Sequence, residues 1–413
     1  MATDQSSEHD RFEDEDDDDV TIFGLLDILD PFTLPARHIV GIIGLILLAI
    51  APFFVEQITV LRLMGALYFA MFAMSWDSVS GYTGDISFGH ALFFTMGGYT
   101  SALLSLEFGL PLWITIPAGV AMAALAGLAI GYPALRLRGP YLSLLTLIAP
   151  LLLLQFFILY SGIFGGELGL PSPAPLVDLP WDERVVVNYY IALGLFTFIL
   201  GLLWMVTRSD AGLIFYAIRQ DPDAVAASGI NVAKFRIYAF VLSGAVGGLA
   251  GAFFVHSVVG GPQPSQLLDL LVSIEVIVAT IIGGIGTVVG AAIGGLFFYL
   301  AIDWLARSEF VIPILDVTVA DANFLIFALL TLLILYYAPG GMLRWVLDAG
   351  ETLRRIRRGE PPEEGLDERS VVEQIADRYR REIPLIADER MDHHHQPRQG
   401  RRDSQDRRRE DDQ

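Results

Sequence analysis

Cysteine is absent from this chain of 413 residues, and lysine occurs only once, as Lys234. Without cysteine, a disulfide framework, a thiolate nucleophile and a cysteine-based metal site are all excluded. Because the single lysine follows Ala233, the chain also lacks a phosphate-binding G-x-x-x-x-G-K-[ST] loop, and H-E-x-x-H and G-x-S-x-G motifs are missing too. We therefore expect a protein that is not an enzyme, does not hydrolyse ATP itself and needs no cofactor.

Apolar segments of membrane-spanning length, by contrast, are abundant. Hydrophobic residues make up 54% of the chain, and the mean hydropathy is +0.53. A transmembrane helix needs about 20 mostly apolar residues. Candidate spans recur at about 38–55, 62–79, 88–106, 111–131, 140–161, 188–207, 236–258, 267–282, 286–304 and 322–338. The pattern predicts an all-α polytopic membrane protein with about ten transmembrane helices in the cell membrane, and it favours transport as the function.

Acidic residues are concentrated at the two ends of the chain. Of the 47 Asp and Glu residues, 12 precede residue 37 and 18 follow residue 340. We expect residues 1–36 to be an acidic, disordered N-terminus, residues 37–340 to be the transmembrane domain, and residues 341–413 to be a charged, largely disordered tail. No cleavable signal peptide is recognisable. The acid-rich, lysine-poor ends indicate a halophilic source, and three adjacent histidines in the tail, His393–His395, indicate solvated side chains rather than a metal site.

The placement of arginine predicts the orientation, since loops rich in Arg and Lys stay in the cytoplasm. Basic residues mark the loop at Arg136 and Arg138, the segment 208–236 and the flank after residue 340. The loops 163–187 and 305–321 hold acids and prolines, so we expect them outside. Six spans precede the segment 208–236 and four follow it, which predicts cytoplasmic N- and C-termini. Arg62 is the one mild exception.

Small residues recur at helix-packing spacing in the second half of the chain. The pairs and series are Gly244 with Gly248, Gly247 with Gly251, and Gly286 with Gly290 and Gly294. Small faces let helix backbones approach in lipid, where no hydrophobic force drives helices together. These glycines predict a packed bundle.

The segment 208–236 is too long for a simple turn between spans. Apolar residues recur at helical spacing from Ile214 to Ile218, Pro222 is suited to begin a new helical turn, and Gly229 is suited to end it. We expect short helices that lie against the membrane and present a knob to a soluble partner. An ordinary structured loop is the alternative.

Two motifs indicate a family. D-A-V-A-A-S-G at Asp223–Gly229 is similar to the E-A-A-x-x-x-G coupling motif of ABC importer permeases, with Asp223 for Glu and Val225 for Ala. GYTGDISFGHALFFTMGGYTSALL at Gly81–Leu104 resembles the signature G-Y-x-G-x-x-S-x-G-H-A-x-F-x-x-x-G-A-Y of the LivM family of branched-chain amino-acid permeases. The matching residues are Gly81, Tyr82, Gly84, Ser87, Gly89, His90, Ala91, Phe93, Gly97 and Tyr99, while Gly98 replaces the usual Ala. The resemblance covers most of residues 60–340.

The resemblance implies a permease subunit of an ABC-type importer for branched-chain amino acids, with the permease-like fold of that class. It implies coupling to ATP-binding subunits through Asp223, Ala224, Val225 and Gly229. It also implies a second homologous permease subunit and an extracellular solute-binding protein as partners, within the lipid bilayer and with no nucleic acid. Three alternatives stay open: a urea or short-chain amide permease on the same scaffold, a stand-alone secondary carrier, and a non-transporting membrane scaffold.

Polar and ionisable groups in or near the predicted spans are candidates for the substrate pathway, because charge is costly in hydrocarbon. The candidates are Asp77, Asp85, Ser87, His90, His256 and Glu275. Ser87 and His90, which match the family signature, are expected either to line or gate the pathway or to pack helices. Glu275 is expected to lie on the pathway or to pair with a polar group on a neighbouring helix. Asp77 and Asp85 flank a short break and could equally lie at the water boundary.

Overall fold

The computed structural model describes residues 36–135, 137, 140–308, 311–312, 317–320, 322–337 and 341–343. The chain divides into two units between Leu47 and Leu48. The N-terminal unit is described only from Ala36, where helix α1 (Ala36–Ile50) begins. The predictions of disorder for residues 1–36 and 341–413, and the one about the three histidines, therefore lie almost wholly outside the described residues.

Long helices follow one another through the second unit. They are α2 (Gln57–Trp76), α3 (His90–Phe108), α4 (Leu112–Ala134), α5 (Pro140–Leu159), α7 (Trp181–Arg208), α8 (Asp210–Gln220), α10 (Val232–His256), α12 (Leu270–Gly283), α13 (Val288–Ala306) and α14 (Asn323–Tyr337). Shorter turns lie between them: a 3₁₀ turn (Ala51–Phe53), a π-helical turn (Asp77–Gly81), α6 (Ser161–Phe164), α9 (Pro222–Ala227) and α11 (Pro264–Leu267). A short antiparallel ladder pairs β1 (Val311–Ile312) with β2 (Val317–Thr318). Helices dominate because a chain in lipid must satisfy its backbone hydrogen bonds internally.

Seven helical segments in the described part of the chain are long and apolar enough to cross a membrane. They are Gln57–Gly81, Leu112–Pro133, Tyr141–Leu159, Trp181–Arg208, Val232–His256, Pro264–Gly283 and Val288–Ala306. Each coincides with one of the ten predicted spans. Helices α1, α3 and α14 occupy the other three predicted spans, but each of them is shorter or more polar than the seven segments named above. The multi-pass membrane protein is confirmed, and the number ten stays a prediction.

Helix α10 packs most extensively against α4 and α3. A Cβ atom at Gly97 in α3 would overlap the carbonyl oxygen of Gly248 in α10, and one at Gly119 in α4 would overlap the carbonyl oxygen of Gly97. Gly244 likewise faces the backbone of Ala123 in α4. Glycine thus lets three backbones touch, which supplies packing contacts where lipid provides no hydrophobic drive. The predicted packing role of the first glycine pair is confirmed.

The other predicted glycine sets divide among different neighbours. Gly247 faces α2 and Gly251 faces α3, so this pair also packs helices. Gly290 and Gly294 face α12. Gly286, however, lies in the turn between α12 and α13 with a φ of +76°. The prediction that it continues the packing face of the other two is wrong, because the chain there is not yet helical.

One end of the bundle brings together the break between α2 and α3, the segment between α7 and α10, and the turn between α12 and α13. Arg236 forms a salt bridge with Asp85 across 3.1 Å, and the N–H of Gly286 donates to the carboxylate of Asp77 across 2.7 Å. Span parity and arginine placement predict these same three connections on the cytoplasmic side.

The opposite end gathers the loop 163–187 and the outer parts of other helices. The N–H of Leu170 donates to the carbonyl oxygen of Pro262 across 3.0 Å. Arg62, the arginine predicted on the outer side against the usual preference, forms a salt bridge of 3.4 Å with Asp303, and this salt bridge compensates its charge. These connections are the ones predicted outside, and which end faces the cytoplasm stays a prediction.

Single cysteines test this orientation without background labelling, because the natural chain has no thiol. Ser172 and Ala227 are both exposed, at opposite ends of the bundle. We expect a membrane-impermeant maleimide to label Ser172→Cys in intact cells and Ala227→Cys only after the cells are opened. Labelling of Ala227→Cys in intact cells would contradict the predicted orientation, and the unsubstituted protein serves as the control.

Candidate functional site

The segment that carries the family signature forms the break between α2 and α3. Helix α2 continues into a π-helical turn before the chain leaves helical geometry, and such turns are frequent at functional sites. The indole N–H of Trp76 donates to the carbonyl oxygen of Ser87 across 2.6 Å. The N–H of Ser87 donates to the hydroxyl of Ser80 across 3.2 Å. The break is therefore held in one shape by side chains from α2 and the turn itself.

Asp77, the first residue of the π-helical turn, is fully buried. Its Oδ1 accepts the N–H of Gly286, and its Oδ2 has no hydrogen-bond partner within the described residues. Arg219 of α8 interacts electrostatically with Asp77 and donates from Nη1 to the carbonyl oxygen of Gly81. We call Asp77, Gly81, Arg219 and Gly286 the Asp77 junction. Asp77 is therefore enclosed by protein, and its depth relative to the water boundary stays a prediction.

Asp85 forms a second ionic contact at the same end. Its carboxylate lies 3.1 Å from Nε of Arg236 at the start of α10 and accepts a 3.2 Å hydrogen bond from the hydroxyl of Thr83. Burial raises the pKa of Asp85 above its usual value, and the neighbouring guanidinium of Arg236 opposes that rise because it favours the carboxylate. Asp85 thus ties the break to α10.

His90 begins α3 and is fully buried. Its Nε2 lies 2.6 Å from the hydroxyl of Ser243 in α10. The hydroxyl of Ser243 also lies 2.7 Å from the carbonyl oxygen of Ser75 in α2, and the hydroxyl of Ser75 donates to the carbonyl oxygen of Ser243 across 2.8 Å. The Nδ1 of His90 has no partner in the described structure. Within this chain, His90 joins three helices.

Ser87 and Glu275 occupy contrasting environments. Ser87 is fully buried, and its hydroxyl accepts the N–H of Gly89 across 3.2 Å. Glu275 lies in α12 and is half-buried. It makes no hydrogen bond or salt bridge with any residue that the structure describes, so the expected polar partner on a neighbouring helix is not found. Of the three predicted pathway residues, Ser87 lies at the buried end of the break and His90 at the start of α3 that follows, whereas Glu275 forms no hydrogen bond with either of them.

His256, at the end of α10, fastens the opposite side of the bundle. Its Nδ1 lies 2.6 Å from the carbonyl oxygen of Ala174 in the loop 163–187. Its Nε2 lies 2.8 Å from the hydroxyl of Ser101 in α3, which in turn bonds to Thr115 in α4. His256 therefore holds the loop against the same helices that glycine brings together.

The segment between α7 and α10 contains the short helices expected there, α8 and α9. Pro222 is the first residue of α9, and the side chain of Asp221 caps it by accepting the N–H groups of Asp223 and Ala224. Gly229 follows the helix with a φ of +87°, as its predicted role at the helix end requires. The coupling-motif residues thus lie together in one compact turn.

The surface of this turn is not uniform. Asp223, Ala224 and Gly229 are exposed, whereas Val225 is 8% exposed and faces the protein. In α8 the buried residues are Gly212, Phe215 and Ile218. We call α8, α9 and the residues through Gly229 the knob. It has an inner apolar side that anchors it. Its outer side combines the small and polar residues of α9 with the exposed Leu213 and Tyr216 of α8.

Arg219 and Arg236 were missed as site residues by the sequence argument, which used them only as markers of orientation. A signal did exist, since a buried carboxylate needs a cation and these two are basic residues of the same predicted side. What no pattern showed was which carboxylate each would meet. Among the described residues, no group of three or more His, Cys, Asp or Glu side chains is placed to hold a metal ion.

The His90–Ser243 contact predicts a stability effect. Ser243→Ala removes the hydroxyl that joins α10 to both α2 and α3, and we expect it to lower the free energy of unfolding by about 1–2 kcal/mol, the upper range for a polar contact between membrane helices. Thermal unfolding of the purified protein in detergent measures the change. Thr197→Ala is the control because, among the residues that the structure describes, its hydroxyl bonds only to Leu193 of its own helix. An unchanged Tm in Ser243→Ala would contradict the contact.

Comparison with known proteins supplies the context for this geometry. The chain is 29% identical over 300 residues to the high-affinity branched-chain amino acid transport system permease protein LivM of Escherichia coli (strain K12), covering 64% of this chain and 69% of that protein. It is 26% identical over 221 residues to the probable branched-chain amino acid transport permease protein LivH of Methanocaldococcus jannaschii, covering 51% and 68%. No solved structure gives a significant match.

Another relative is named for a different import system. The chain is 31% identical over 188 residues to the autoinducer 2 import system permease protein LsrC of Salmonella paratyphi B, covering 43% of this chain and 53% of that protein. The family model described as branched-chain amino acid transport system / permease component matches residues 58–337, from the start of α2 to the end of α14. Because that match spans well over half of the chain, this multi-pass membrane protein belongs to the branched-chain amino acid transport system permease component family.

Proposed function

We propose that this chain is the permease subunit of an ABC-type importer that carries branched-chain amino acids and forms part of their pathway across the membrane. The observation that carries the proposal is the family match over residues 58–337, which includes the transmembrane helices and the knob together. The LivM and LivH relatives support the substrate class. A urea or short-chain amide permease is the alternative substrate assignment.

The knob is the proposed contact with an ATP-binding subunit. Asp223, Ala224 and Gly229 offer a small, exposed surface on which a partner can seat closely, and Val225 anchors the turn from beneath. The chain has no phosphate-binding lysine loop of its own, which supports an energy source on a separate subunit. A second homologous permease subunit and an extracellular solute-binding protein complete the proposed assembly.

Among the proposed pathway residues, Glu275 has the clearest physical argument for a place on the pathway. A half-buried carboxylate on a mostly apolar helix is costly in hydrocarbon. With no partner in the described part of this chain, it requires water or a partner protein at its exposed side. A watery path between two permease subunits provides such an environment. Ser87 and His90 are proposed to act on the pathway by fixing the start of α3, since both are buried.

Docking through the knob predicts the effect of Gly229→Arg. Gly229 has a positive φ and no atom within 4 Å of a Cβ, so the new side chain projects from the docking surface. We expect at least about a tenfold weaker association with the ATP-binding subunit, equivalent to more than about 1.4 kcal/mol, while membrane insertion is retained. Co-purification from detergent measures it.

Gly109→Arg is the matched control for that experiment. Gly109 also has a positive φ, +59°, and open space around it, but it ends α3 at the opposite end of the bundle. Both variants therefore place an arginine at a positive φ with open space around it, and both add the same charge. Wild-type co-purification of Gly229→Arg, or equal loss in both variants, would argue against the knob as the docking site.

The substrate assignment predicts which solute the importer takes up. In a strain that lacks the chain and is complemented with it and its partner subunits, we expect uptake of labelled leucine that depends on ATP. Excess unlabelled isoleucine or valine should compete, and excess urea should not. Uptake of labelled urea without uptake of leucine would replace the assignment with the alternative, and uptake by the purified chain alone would favour a stand-alone carrier.

A further inference from the structure

Arg219 lies between the knob and the transmembrane helices. It occupies the last turn of α8, three residues before α9 begins at Pro222. Its stem lies against the α2–α3 break, since a Cβ atom at Gly84 would come within 3.2 Å of its Cγ. Its guanidinium reaches the carbonyl oxygen of Gly81 and the backbone of Gly286. One side chain therefore contacts both the α2–α3 break and the α12–α13 turn from the knob.

Glycines make room for this arrangement. A Cβ atom at Gly81 would overlap Oδ1 of Asp77, and one at Gly286 would lie 2.5 Å from Nη1 of Arg219. Gly84 and Gly286 also have φ values of +77° and +76°, a backbone conformation that favours glycine. Larger residues at these positions would displace the carboxylate or the guanidinium from the junction.

The charges in the junction depend on one another. A fully buried carboxylate is strongly unfavourable unless hydrogen bonds and an opposite charge compensate it. In the structure described, the N–H of Gly286 supplies the hydrogen bond to Asp77 and Arg219 supplies the nearby positive charge. Arg219 is itself exposed on its other side, so it links the surface of the knob to a buried group.

We propose that Arg219 is a positioning residue for transport, which transmits displacements of the knob to the α2–α3 break and the α12–α13 turn through the Asp77 junction. This inference rests on the proposed function, in which the knob docks on an ATP-binding subunit. The break leads directly into α3 and the turn into α13. If the knob moves, Arg219 displaces the break and the turn with it, so the starts of α3 and α13 move together. Without this contact, the two connections would move independently of each other.

Arg219→Met tests the transmission because methionine keeps an unbranched apolar stem and removes the charge and the donors. The variant is reconstituted into liposomes with the ATP-binding subunits, the second permease subunit and the binding protein, and ATP hydrolysis and uptake of labelled leucine are measured together. We expect the complex to assemble and ATP hydrolysis to continue, while leucine moved per ATP falls about tenfold, a typical coupling loss. In Arg219→Lys, which keeps a charge and a donor, the amount of leucine moved per ATP should fall less.

Arg307→Met is the matched control, because Arg307 is an exposed arginine at the opposite end of the bundle. Arg307→Met should leave the amount of leucine moved per ATP unchanged. A wild-type amount of leucine moved per ATP in Arg219→Met would overturn the inference. Loss of assembly in Arg219→Met would also overturn it, since Arg219 would then be part of the docking surface itself. Failure of the proposed function gives a different result: the wild-type complex would not take up leucine, or Gly229→Arg would bind the ATP-binding subunit as the wild type does.

Asp77→Asn resolves the case in which Arg219→Met leaves too little folded protein. The asparagine side chain still offers an oxygen to Gly286 but carries no charge, so the double variant Asp77→Asn/Arg219→Met has no uncompensated buried carboxylate. We expect it to fold and to remain about tenfold uncoupled, because the bridge to Gly81 is still missing. Restored coupling in the double variant would show that charge balance alone matters and would overturn the transmission by Arg219.

Discussion

Helices α3, α4 and α10 approach so closely that backbone atoms form much of their contact, at Gly97, Gly119 and Gly248. In lipid, apolar side chains gain little from leaving the hydrocarbon for one another, so close backbone packing and polar contacts between helices must hold a bundle together. The close approach has a second consequence, because it brings small polar side chains within hydrogen-bonding distance across helices. The contact of His90 with Ser243 and that of His256 with Ser101 both depend on it.

The two histidine contacts lie toward opposite ends of this packed unit. His90 ties the beginning of α3 to α10 and α2, and His256 ties the end of α10 to α3 and to the loop 163–187. The central helices are thereby joined at both ends, while α5 and α7 present most of their residues to the surroundings. A closely packed centre with a less buried periphery is a suitable frame for a transporter, since the packed helices connect the two ends of the bundle.

Around this frame, the charged groups near the knob differ from Glu275 in how their charge is compensated. Four charged residues lie where the α2–α3 break meets the segment that holds the knob: Asp77, Asp85, Arg219 and Arg236. Glu275 stands apart on α12 without a partner in the described chain. The four residues compensate their charges internally, which suits a mechanical connection. Glu275 does not, which suits a surface that water or another subunit completes.

Sequence patterns alone determined the class of the protein and much of its organisation. Hydropathy located every helix later found long enough to span a membrane, because span length is set by bilayer thickness and is local in sequence. The helices α8 and α9 could also be predicted, since Pro222 and Gly229 act through local backbone geometry. The signature at Gly81–Leu104 and the coupling motif indicated the family.

Only the tertiary structure decided which distant groups meet. Nothing in the sequence pairs Asp77 with Gly286 or Arg219, which are far apart along the chain and come together only when α2, α8 and α12 pack. The same holds for Gly286, whose spacing with Gly290 suggested helix packing but whose positive φ places it in a turn. Local periodicity records which face of a helix is small or apolar. Which neighbour fills that face is decided by the packing of the whole bundle.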